Sequence, residues 1–443
     1  MPLTIDIENF LQGHCQAARL LVAYSGGVDS HVLLHLCAAS PAFKGKITAV
    51  YVHHGLQSEA EAWGGHCRSI AKALGVRFVL LRVNALAKPG ESPEEAARNA
   101  RYQALQSLIN QGDVLLLAQH QEDQLETVLL QLFRGSGLKG LSGMPESMAF
   151  GSGLLLRPLL DVPKQAINSY AKAHALQWVE DPSNQLSDYD RNFLRNGIVP
   201  LLRQRWPALA KTVSRSAKHC AQAQSLVSVL ARDLFLTVFN EVDGTLAISQ
   251  LQRLDMAEQQ LVIRHWFGHW GLKMPAQAVI SRLFAQVLAA REDSGPVLAG
   301  RGYCLRRYRD KLYCLRQLEF EPEVCAVQRW PKGQASIKVS HQQALSYAPS
   351  SVGILQEHWE KAVVEIRPRS GGEKIHLPGR EGRHDLKKLF QEAGVPPWER
   401  LTIPLVYLDN KLAAVGDLWI SADFYSEKES GCISLSLAKA MCH

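Results

Sequence analysis

The 443-residue sequence lacks three features that would each assign it to a familiar class of protein. It has nine cysteines but no Cys-x-x-Cys pair, which argues against a zinc site, a cysteine-ligated iron–sulfur cluster and a dithiol redox couple. No apolar run reaches the roughly eighteen residues of a transmembrane helix. The first residues, MPLTIDIENF, lack the basic and apolar regions of a secretory signal. We therefore expect a cytoplasmic protein with no membrane partner.

A Walker-type phosphate loop is also missing, because no Gly-Lys-Ser or Gly-Lys-Thr tripeptide occurs. The chain has instead two adjacent glycines between the apolar run 20–24 and a helical pattern over 32–36. Two adjacent glycines allow backbone N–H groups to turn inward around an anion, and a helix N-terminus adds positive potential. This arrangement predicts a site for a phosphorylated ligand. The loop consists of Ser25, Gly26, Gly27, Val28, Asp29 and Ser30.

The first half of the chain alternates between strand and helix patterns. Four apolar runs are typical of buried strands: 20–24, 47–52, 76–83 and 114–118. Helical spacing between them predicts an α/β domain, with a parallel sheet and helices on both faces. Ligands of such sheets bind beyond the carboxyl ends of the strands. Three segments each follow a predicted strand: the glycine loop, residues 53–55 and residues 119–123. We therefore expect three strand ends to meet at one crevice.

The loop sequence SGGVDS resembles the signature of the PP-loop ATP pyrophosphatases, which cleave ATP between its α and β phosphates. The resemblance implies that the loop holds the pyrophosphate of ATP. Asp29 would then bind Mg²⁺, because a carboxylate among phosphates requires a bridging cation. ATP and Mg²⁺ are therefore the expected cofactors.

Carboxylates begin the helix that is predicted after the fourth strand. Asp123 and Glu126 are three residues apart and share a helix face, which would lie across the crevice from the loop. We expect them to position Mg²⁺ or an amine. Glu122 is better explained as a favourable charge at a helix N-terminus, worth about 0.5–1 kcal/mol.

Further segments narrow the resemblance to the bacterial tRNA(Ile)-lysidine synthetases. In chain order they are VHHGL at 52–56, EEAARNARY at 94–102, AQHQEDQLETVLLQLFRGSGLKGL at 118–141, RPLLDVPK at 157–164, EDPSN at 180–184 and YDRNFLRN at 189–196. The region 366–400 resembles the C-terminal domain of the family's longer members. One departure is Glu122, where many relatives have a second Asp, and this change keeps the charge.

The resemblance implies modification of the wobble cytidine in the CAU anticodon of an isoleucine tRNA. In the family, ATP adenylates the oxygen at carbon 2 and pyrophosphate leaves; free L-lysine then attacks that carbon and expels AMP. Carried over to this chain, the loop residues and His54 bind ATP. Asp123 and Glu126 hold Mg²⁺ or the lysine ammonium, and a nearby carboxylate accepts the proton that the amine loses. Arg101 places a cation near developing negative charge.

Basic residues support an RNA partner more through their distribution than through the net charge of +7. The segment 195–218 contains six Lys or Arg residues and no Asp or Glu, which is typical of phosphate contact. Other basic clusters lie in a predicted hairpin with its turn at Arg309-Asp310 and in the segment 367–388. The predicted tRNA contacts are Arg134, Lys139, Arg191, Asn192, Arg195, Arg205, Arg306, Arg307, Arg380, Lys387 and Lys388.

Composition changes predict three domains: a catalytic domain at 1–217, a mainly helical domain at 218–350 and a small α+β domain at 361–443. We expect 319–360 to be irregular and to contain a linker. A helix is predicted at Asp385–Ala393, and Trp398, after a proline pair, is expected to fill a domain core.

Three alternatives remain open from the sequence. A PP-loop tRNA thiolase would need a cysteine pair or cluster, and a small-molecule synthetase would leave the basic regions unexplained. An RNA-binding protein with a degenerate nucleotide fold would be expected to lack Asp29 or the acidic helix. A homodimer is a further possibility, because a long tRNA could span two basic faces.

Overall fold

A computed structural model of the protein describes residues 6–13, 18–53, 55, 60–84, 86, 93–182, 189–291, 294–316, 324–341, 343–427 and 431–439. The chain forms two compact units, Met1–Val229 and Leu230–His443. Within the described ranges, no helix has both the length and the apolar character needed to cross a membrane.

The described residues of the first unit form six strands: β1 (Leu20–Ala23), β2 (Ile47–His53), β3 (Arg77–Arg82), β4 (Val114–Leu116), β5 (Ser147–Phe150) and β6 (Gly153–Leu156). Its helices are α1 (Ile7–Gln12), α2 (Val28–Ala39), α3 (Ala60–Ala73), α4 (Pro93–Gln106), α5 (Gln121–Phe133), α6 (Leu138–Leu141), α7 (Lys164–Ala173), α8 (Asp190–Phe193) and α9 (Val199–Arg205). A 3₁₀ turn lies at Pro41–Phe43, and a π turn at Leu194–Ile198 joins α8 to α9. The long helix α10 spans Leu209–Val238.

The predicted parallel sheet is confirmed. Its order is β3-β2-β1-β4-β6-β5, and every pair is parallel except β5 with β6. Alternating side chains of β1 enter two separate cores, Leu20 and Val22 on one face and Leu21 on the other. A central strand buried on both faces explains why its sequence is continuously apolar.

The hairpin β5–β6 was absent from the sequence-based prediction. It adds β6 parallel to β4 and leaves β5 as an antiparallel edge strand. The first three residues of β5 are exposed, so this edge strand carries no alternating apolar pattern that the sequence could reveal.

The topology brings two strand ends together. β1 and β4 are parallel neighbours, with Leu20 opposite Val114, so their carboxyl ends lie at the same edge of the sheet. The glycine loop leads from β1 into α2, and residues 117–120 lead from β4 into α5. The phosphate loop and the acidic helix are therefore neighbours, as the sequence predicts.

The second unit contains the remaining elements. Its helices are α11 (Ile248–Leu251), α12 (Met256–His269), α13 (Gln277–Arg282), α14 (Gln356–Lys361) and α15 (Leu386–Glu392), with a π turn at Leu283–Leu288. Its strands are β7 (Phe239–Asn240), β8 (Thr245–Ala247), β9 (Val297–Gly300), β10 (Tyr303–Tyr308), β11 (Lys311–Arg316), β12 (Gln328–Arg329), β13 (Ser336–Lys338), β14 (Gln343–Ser350), β15 (Gly353–Leu355), β16 (Val364–Arg367), β17 (Lys374–His376), β18 (Arg383–Asp385), β19 (Leu405–Leu408), β20 (Lys411–Val415), β21 (Trp419–Ile420), β22 (Tyr425–Ser426) and β23 (Cys432–Lys439).

These strands form three five-stranded sheets and one ribbon. The orders are β7-β8-β11-β10-β9, β12-β16-β19-β20-β21 and β13-β14-β23-β15-β22, with β17-β18 as the ribbon. The predicted hairpin is confirmed as β10–β11, and its turn residue Arg309 has a positive φ of 53°. The predicted helix near residue 385 is confirmed as α15.

The expectation that 319–360 is irregular was wrong for the described part of this range, residues 324–341 and 343–360. β14 pairs along its whole length with β23, from Gln343 opposite Lys439 to Ser350 opposite Cys432. The partner strand lies about ninety residues away in sequence, and the polar composition of β14 gives no local strand pattern. The C-terminal sheets therefore include strands from residue 328 onward. The first predicted domain boundary, near residue 217, falls within α10.

Candidate active site

The phosphate loop is shaped by its first glycine. Gly26 has a φ of +85°, a backbone conformation that favours glycine, and a Cβ there would lie 3.0 Å from the sulfur of Cys67. The Gly26 carbonyl also accepts a hydrogen bond from the Val179 amide at 2.9 Å. Gly27 then caps α2 in an extended conformation. The loop therefore passes directly from the buried β1 into the N-terminus of a twelve-residue helix.

Two serine hydroxyls stabilise this loop from within. Ser30 Oγ donates to the Gly27 carbonyl at 3.0 Å and accepts from the Ser25 amide at 3.2 Å. The two hydroxyl oxygens of Ser25 and Ser30 are 3.1 Å apart. The side chains that the sequence assigns to phosphate binding thus also hold the loop in its folded shape.

Asp29 lies in the first turn of α2 and contacts two residues from other elements. Lys164 Nζ, at the start of α7, donates to Asp29 Oδ1. His120 Nε2, at the N-terminus of α5, is 3.7 Å from the same oxygen. The side chains of Asp29 and Lys164 are 30% and 32% exposed, so a solvent-borne ligand can reach this ion pair.

His120 connects the phosphate loop to the acidic helix. It is 4% exposed, and its ring nitrogens lie 3.3 Å from Glu122 Oε2 and 3.5 Å from Asp123 Oδ2. Burial alone would lower the pKa of His120. The surrounding carboxylates, including Asp29, outweigh burial and raise the pKa of His120 above its ordinary value.

Asp123 and the buried Glu126 form a partly buried ionic cluster with two arginines. Arg191 Nε donates to Glu126 Oε2 at 2.8 Å, and Arg195 Nε donates to Glu126 Oε1 at 2.7 Å. The Nη2 atoms of both arginines also lie within 3.3 Å of Asp123 Oδ1. Burial opposes ionisation of Asp123, but the positive charges of His120, Arg191 and Arg195 lower its pKa overall.

Glu122 has a larger structural role than helix capping. Its Oε2 accepts from the Lys164 amide, and its Oε1 accepts from Arg203 Nη2, both at 2.8 Å. Burial acts to raise the pKa of Glu122, but the contacts with His120, the Lys164 amide and Arg203 lower it to about 2. Glu122 thus joins α5 to α7 and α9.

Three charged residues of this site were missed by the sequence-based assignment: His120, Lys164 and Arg203. His120 and Lys164 fall within the motif segments 118–141 and 157–164, so the family resemblance could have identified them. Arg203 lies in the basic run and gave no signal of its own. Its acidic partner is 81 residues away in sequence.

The other predicted site residues of the first unit differ in their placement. Arg101 is exposed on α4, close enough to Arg191 for their like charges to interact. His54 lies outside the described residues. Arg134 and Lys139, near the end of α5 and in α6, are exposed, and Asn192 is half-buried in α8.

The basic run 195–218 is less uniformly open to a ligand than its composition suggests. Arg195 pairs with Glu126, Arg203 with Glu122, and Lys218 with Asp161. Three further members of the run are exposed: Arg205, Lys211 and Arg215. The run itself contains no acidic residue, but the fold brings acidic side chains from other segments into contact with it. The composition of the run could not predict these contacts.

The predicted basic contacts of the second unit differ in exposure. Arg307 is buried and donates to the carbonyls of Leu288 and Ala290, both at 2.7 Å. The guanidinium of Arg306 lies 5.1 Å from the ring centroid of Trp398. These contacts give both arginines a structural role. On and near α15, Arg380 pairs with Glu392, while Lys387 and Lys388 are exposed.

Family models match three parts of the chain. Residues 2–202 match the PP-loop domain, residues 246–313 the TilS substrate binding domain, and residues 364–437 the TilS substrate C-terminal domain. The parallel sheet, the glycine loop and the first of these matches define the N-terminal unit as a PP-loop domain.

Curated relatives extend the match over nearly the whole chain. A protein of Methylococcus capsulatus named tRNA(Ile)-lysidine synthase is 40% identical over 433 residues, covering 96% of this chain and 98% of the relative. Proteins of the same name from Photobacterium profundum and Escherichia coli O157:H7 are 39% and 38% identical, covering 92% and 93% of this chain and 94% and 95% of the relatives. The chain belongs to the tRNA(Ile)-lysidine synthase family.

Solved structures give weaker matches. A U34-tRNA thiolase from Methanococcus maripaludis is 16% identical, with a TM-score of 0.40 over 47% of this chain and 74% of that protein. A TilS C-terminal domain structure is 23% identical, with a TM-score of 0.22 over 26% of this chain and 98% of that structure. Neither likeness bears on function.

Proposed function

We propose that this protein uses ATP to join free L-lysine to carbon 2 of the wobble cytidine in isoleucine tRNA with a CAU anticodon. AMP and pyrophosphate are the other products, and lysidine changes the codon read from AUG to AUA. The PP-loop domain supports ATP as the nucleotide, and family membership supports the tRNA substrate.

One observation carries the proposal: a continuous chain of charged groups joins the phosphate loop to the acidic helix. Asp29 lies 3.7 Å from His120, which lies 3.5 Å from Asp123. A loop suited to phosphate and a carboxylate suited to an ammonium therefore lie within one site. The reaction needs this combination, because ATP supplies the phosphates and lysine supplies the amine.

Asp29 fits the role of a Mg²⁺ ligand. Mg²⁺ at nucleotide sites is commonly held by one or two carboxylates together with phosphate oxygens and water. Among the described residues no group of three metal-ligating side chains occurs, so Asp29 would act with the phosphates. The ion would neutralise phosphate charge. Lys164 now balances the charge of Asp29, and it would be available to a phosphate oxygen once that carboxylate is engaged.

In the first step, the oxygen on carbon 2 of the cytosine attacks the α-phosphorus of ATP. The bond from that phosphorus to the bridging oxygen breaks, and pyrophosphate leaves with the electron pair. The loop amides, the N-terminus of α2 and Lys164 would stabilise the negative charge of pyrophosphate. Adenylation converts a poor leaving group, the base oxygen, into a good one.

In the second step, the neutral lysine ε-amine attacks carbon 2, the carbon–oxygen bond breaks and AMP leaves with the electron pair. The proton that the attacking nitrogen loses passes to solvent water. Asp123 is a weak proton acceptor, because the positive charges of His120, Arg191 and Arg195 lower its pKa. We assign Asp123 and Glu126 to lysine positioning, where the lysine ammonium would compete with these cations for the carboxylate oxygens. Arg101, exposed beside this cluster, would stabilise charge on the base oxygen or the phosphate.

Basic residues beyond the site would hold the tRNA body. In the first unit we assign this role to exposed Arg134, Lys139 and Arg205, and in the second to Lys387 and Lys388. Arg191, Asn192, Arg195 and Arg380 remain proposed contacts. We further propose that the protein acts in the cytoplasm, where its substrates are found, and as a homodimer that would present two basic faces to one tRNA.

The thiolase alternative gains nothing from the site. Cys67 lies beneath the loop, and burial raises its pKa to about 12. A thiol that holds its proton at neutral pH is a poor sulfur nucleophile.

Incubation with ATP, Mg²⁺ and radiolabelled lysine tests the proposal. Label should enter isoleucine tRNA with a CAU anticodon and not methionine tRNA with the same anticodon, with AMP released in equal amount. AMP without lysine transfer would contradict lysine as the nucleophile. Absence of both products would contradict the enzyme assignment.

A further inference from the structure

We propose that Phe193 and Trp206 form a base-stacking edge beside the active site, which holds unpaired anticodon-loop bases next to the target cytidine. The inference deepens the proposed function and rests on it, since only an RNA substrate brings unpaired bases to this edge. The occupant is single-stranded RNA.

The first observation is the exposure of these aromatic side chains. Phe193 is 51% exposed in α8, and Trp206, which follows α9, is 55% exposed. Tyr189 is 39% exposed, and its carbonyl accepts from the Phe193 amide at 2.9 Å, which places both residues on one helical turn. A single exposed apolar residue is ordinary, but aromatic rings recurring along one segment offer several π-faces.

The second observation is that the same segment supplies the arginines of the site. Phe193 lies midway between Arg191 and Arg195, which both bind Glu126. Trp206 lies three residues after Arg203, which binds Glu122. Residues two apart project from different sides of a helix, so Phe193 is directed away from the Glu126 carboxylate that Arg191 and Arg195 bind. Phe193 and Trp206 lie near opposite ends of the continuous helical run formed by α8, the π turn and α9, which the arginines tie to the catalytic cluster.

The third observation is charge. Arg205 precedes Trp206 and is exposed, and Lys211 and Arg215 follow as exposed residues of α10. Aromatic faces interleaved with basic side chains are the usual composition of a single-stranded nucleic-acid surface. An apolar protein partner or a lipid tail would not use these cations, whereas an RNA backbone would.

The reaction requires the target base to be unstacked, and such an edge would assist that step. Carbon 2 of the cytosine is accessible only when the base leaves its stack, and its neighbours then lose a stacking partner. An aromatic ring can replace that partner for any base, because every base has a π-face. Stacking by Phe193 and Trp206 would offset part of the cost of unstacking.

The experiment measures tRNA affinity by fluorescence titration, with 2-aminopurine beside the target cytidine as the probe of stacking. Phe193→Ala and Trp206→Ala should each weaken tRNA binding between about fivefold and a hundredfold. ATP binding and the circular dichroism melt should not change, because both side chains lie on the surface. Phe193→Tyr should bind within about twofold of wild type. The matched control is Leu201→Ala, an apolar residue of α9 that is 62% exposed.

Unchanged tRNA affinity in both Phe193→Ala and Trp206→Ala overturns the inference. Equal losses in the alanine variants and in Leu201→Ala also overturn it, since the effect would then follow apolar surface and not aromatic stacking. These results leave the proposed function intact if the wild type transfers lysine. Failure of lysine transfer by the wild-type protein overturns the proposed function instead.

Discussion

Glu122 allows a quantitative test of how the active-site helix is held in place. Its carboxyl pKa falls from an ordinary 4.5 to about 2, through His120, the Lys164 amide and Arg203. Each tenfold change in proton affinity corresponds to 1.36 kcal/mol, so the ionised group stabilises the fold by about 3 kcal/mol. The side chain is 16% exposed, so solvent screens these contacts little. Glu122→Gln keeps the shape and removes the charge, and the stabilisation should be lost.

Hydrogen exchange of the α5 amides, followed by mass spectrometry, measures this loss locally. At pH 7, exchange in Glu122→Gln should be about a hundredfold faster than in wild type. Because the pKa of Glu122 is lower in the folded state, its stabilisation is present above pH 4.5 and disappears as the pH falls towards 2. The difference between the two proteins should shrink over that interval. Glu95→Gln, an exposed glutamate of α4, is the control and should change exchange less than threefold. A Glu122→Gln effect no larger than that of the control, or one that persists at pH 2, would exclude this electrostatic role of Glu122.

Three further predictions concern separate parts of the fold. Gly26→Ala should destabilise the protein by about 1–2 kcal/mol in a thermal melt and should also weaken ATP binding, because Gly26 has a positive φ and a Cβ there would crowd the Cys67 sulfur. Gly27→Ala is the control and should leave thermal stability unchanged, because Gly27 has a φ of −74°. Lys164→Ala should weaken ATP binding about tenfold by calorimetry and Lys164→Arg should restore it, whereas equal affinity in all three proteins would exclude Lys164 from phosphate binding. Trp398→Ala should lower stability by about 2 kcal/mol in a urea titration, because the ring packs edge-to-face on Tyr313 and under an arginine; an unchanged midpoint would contradict this packing.

Local sequence patterns predicted the parts of the site that are local in the chain. The strand, loop and helix around Ser25 to Ser30 lie within one continuous segment. The glycines, the hydroxyl side chains and the spacing of apolar residues in that segment together predicted a strand, a phosphate loop and a helix. The β10–β11 hairpin is similar, since its turn and both strands lie between Tyr303 and Arg316. In each case the interactions that fix the structure join residues close in sequence.

Contacts between distant segments were not predictable in the same way. Lys164 meets Asp29 across 135 residues, and Arg191 meets Glu126 across 65. Composition correctly marked the arginine run as unusual, but it could not show which side chains the fold pairs with carboxylates. Arg307 gives the same lesson, because its burial depends on the packing of a π turn against the sheet.

In the proposed reaction one site has two functional ends, with Asp29 at the pyrophosphate end and Asp123 at the lysine end. The most direct test is pyrophosphate release in a single turnover with ATP, Mg²⁺ and isoleucine tRNA but without lysine, followed by lysine addition. Asp29→Asn should lose pyrophosphate release, whereas Asp123→Asn should retain it and then fail to transfer lysine. Loss of pyrophosphate release in Asp123→Asn equal to that in Asp29→Asn, or normal release in Asp29→Asn, would contradict this division of roles.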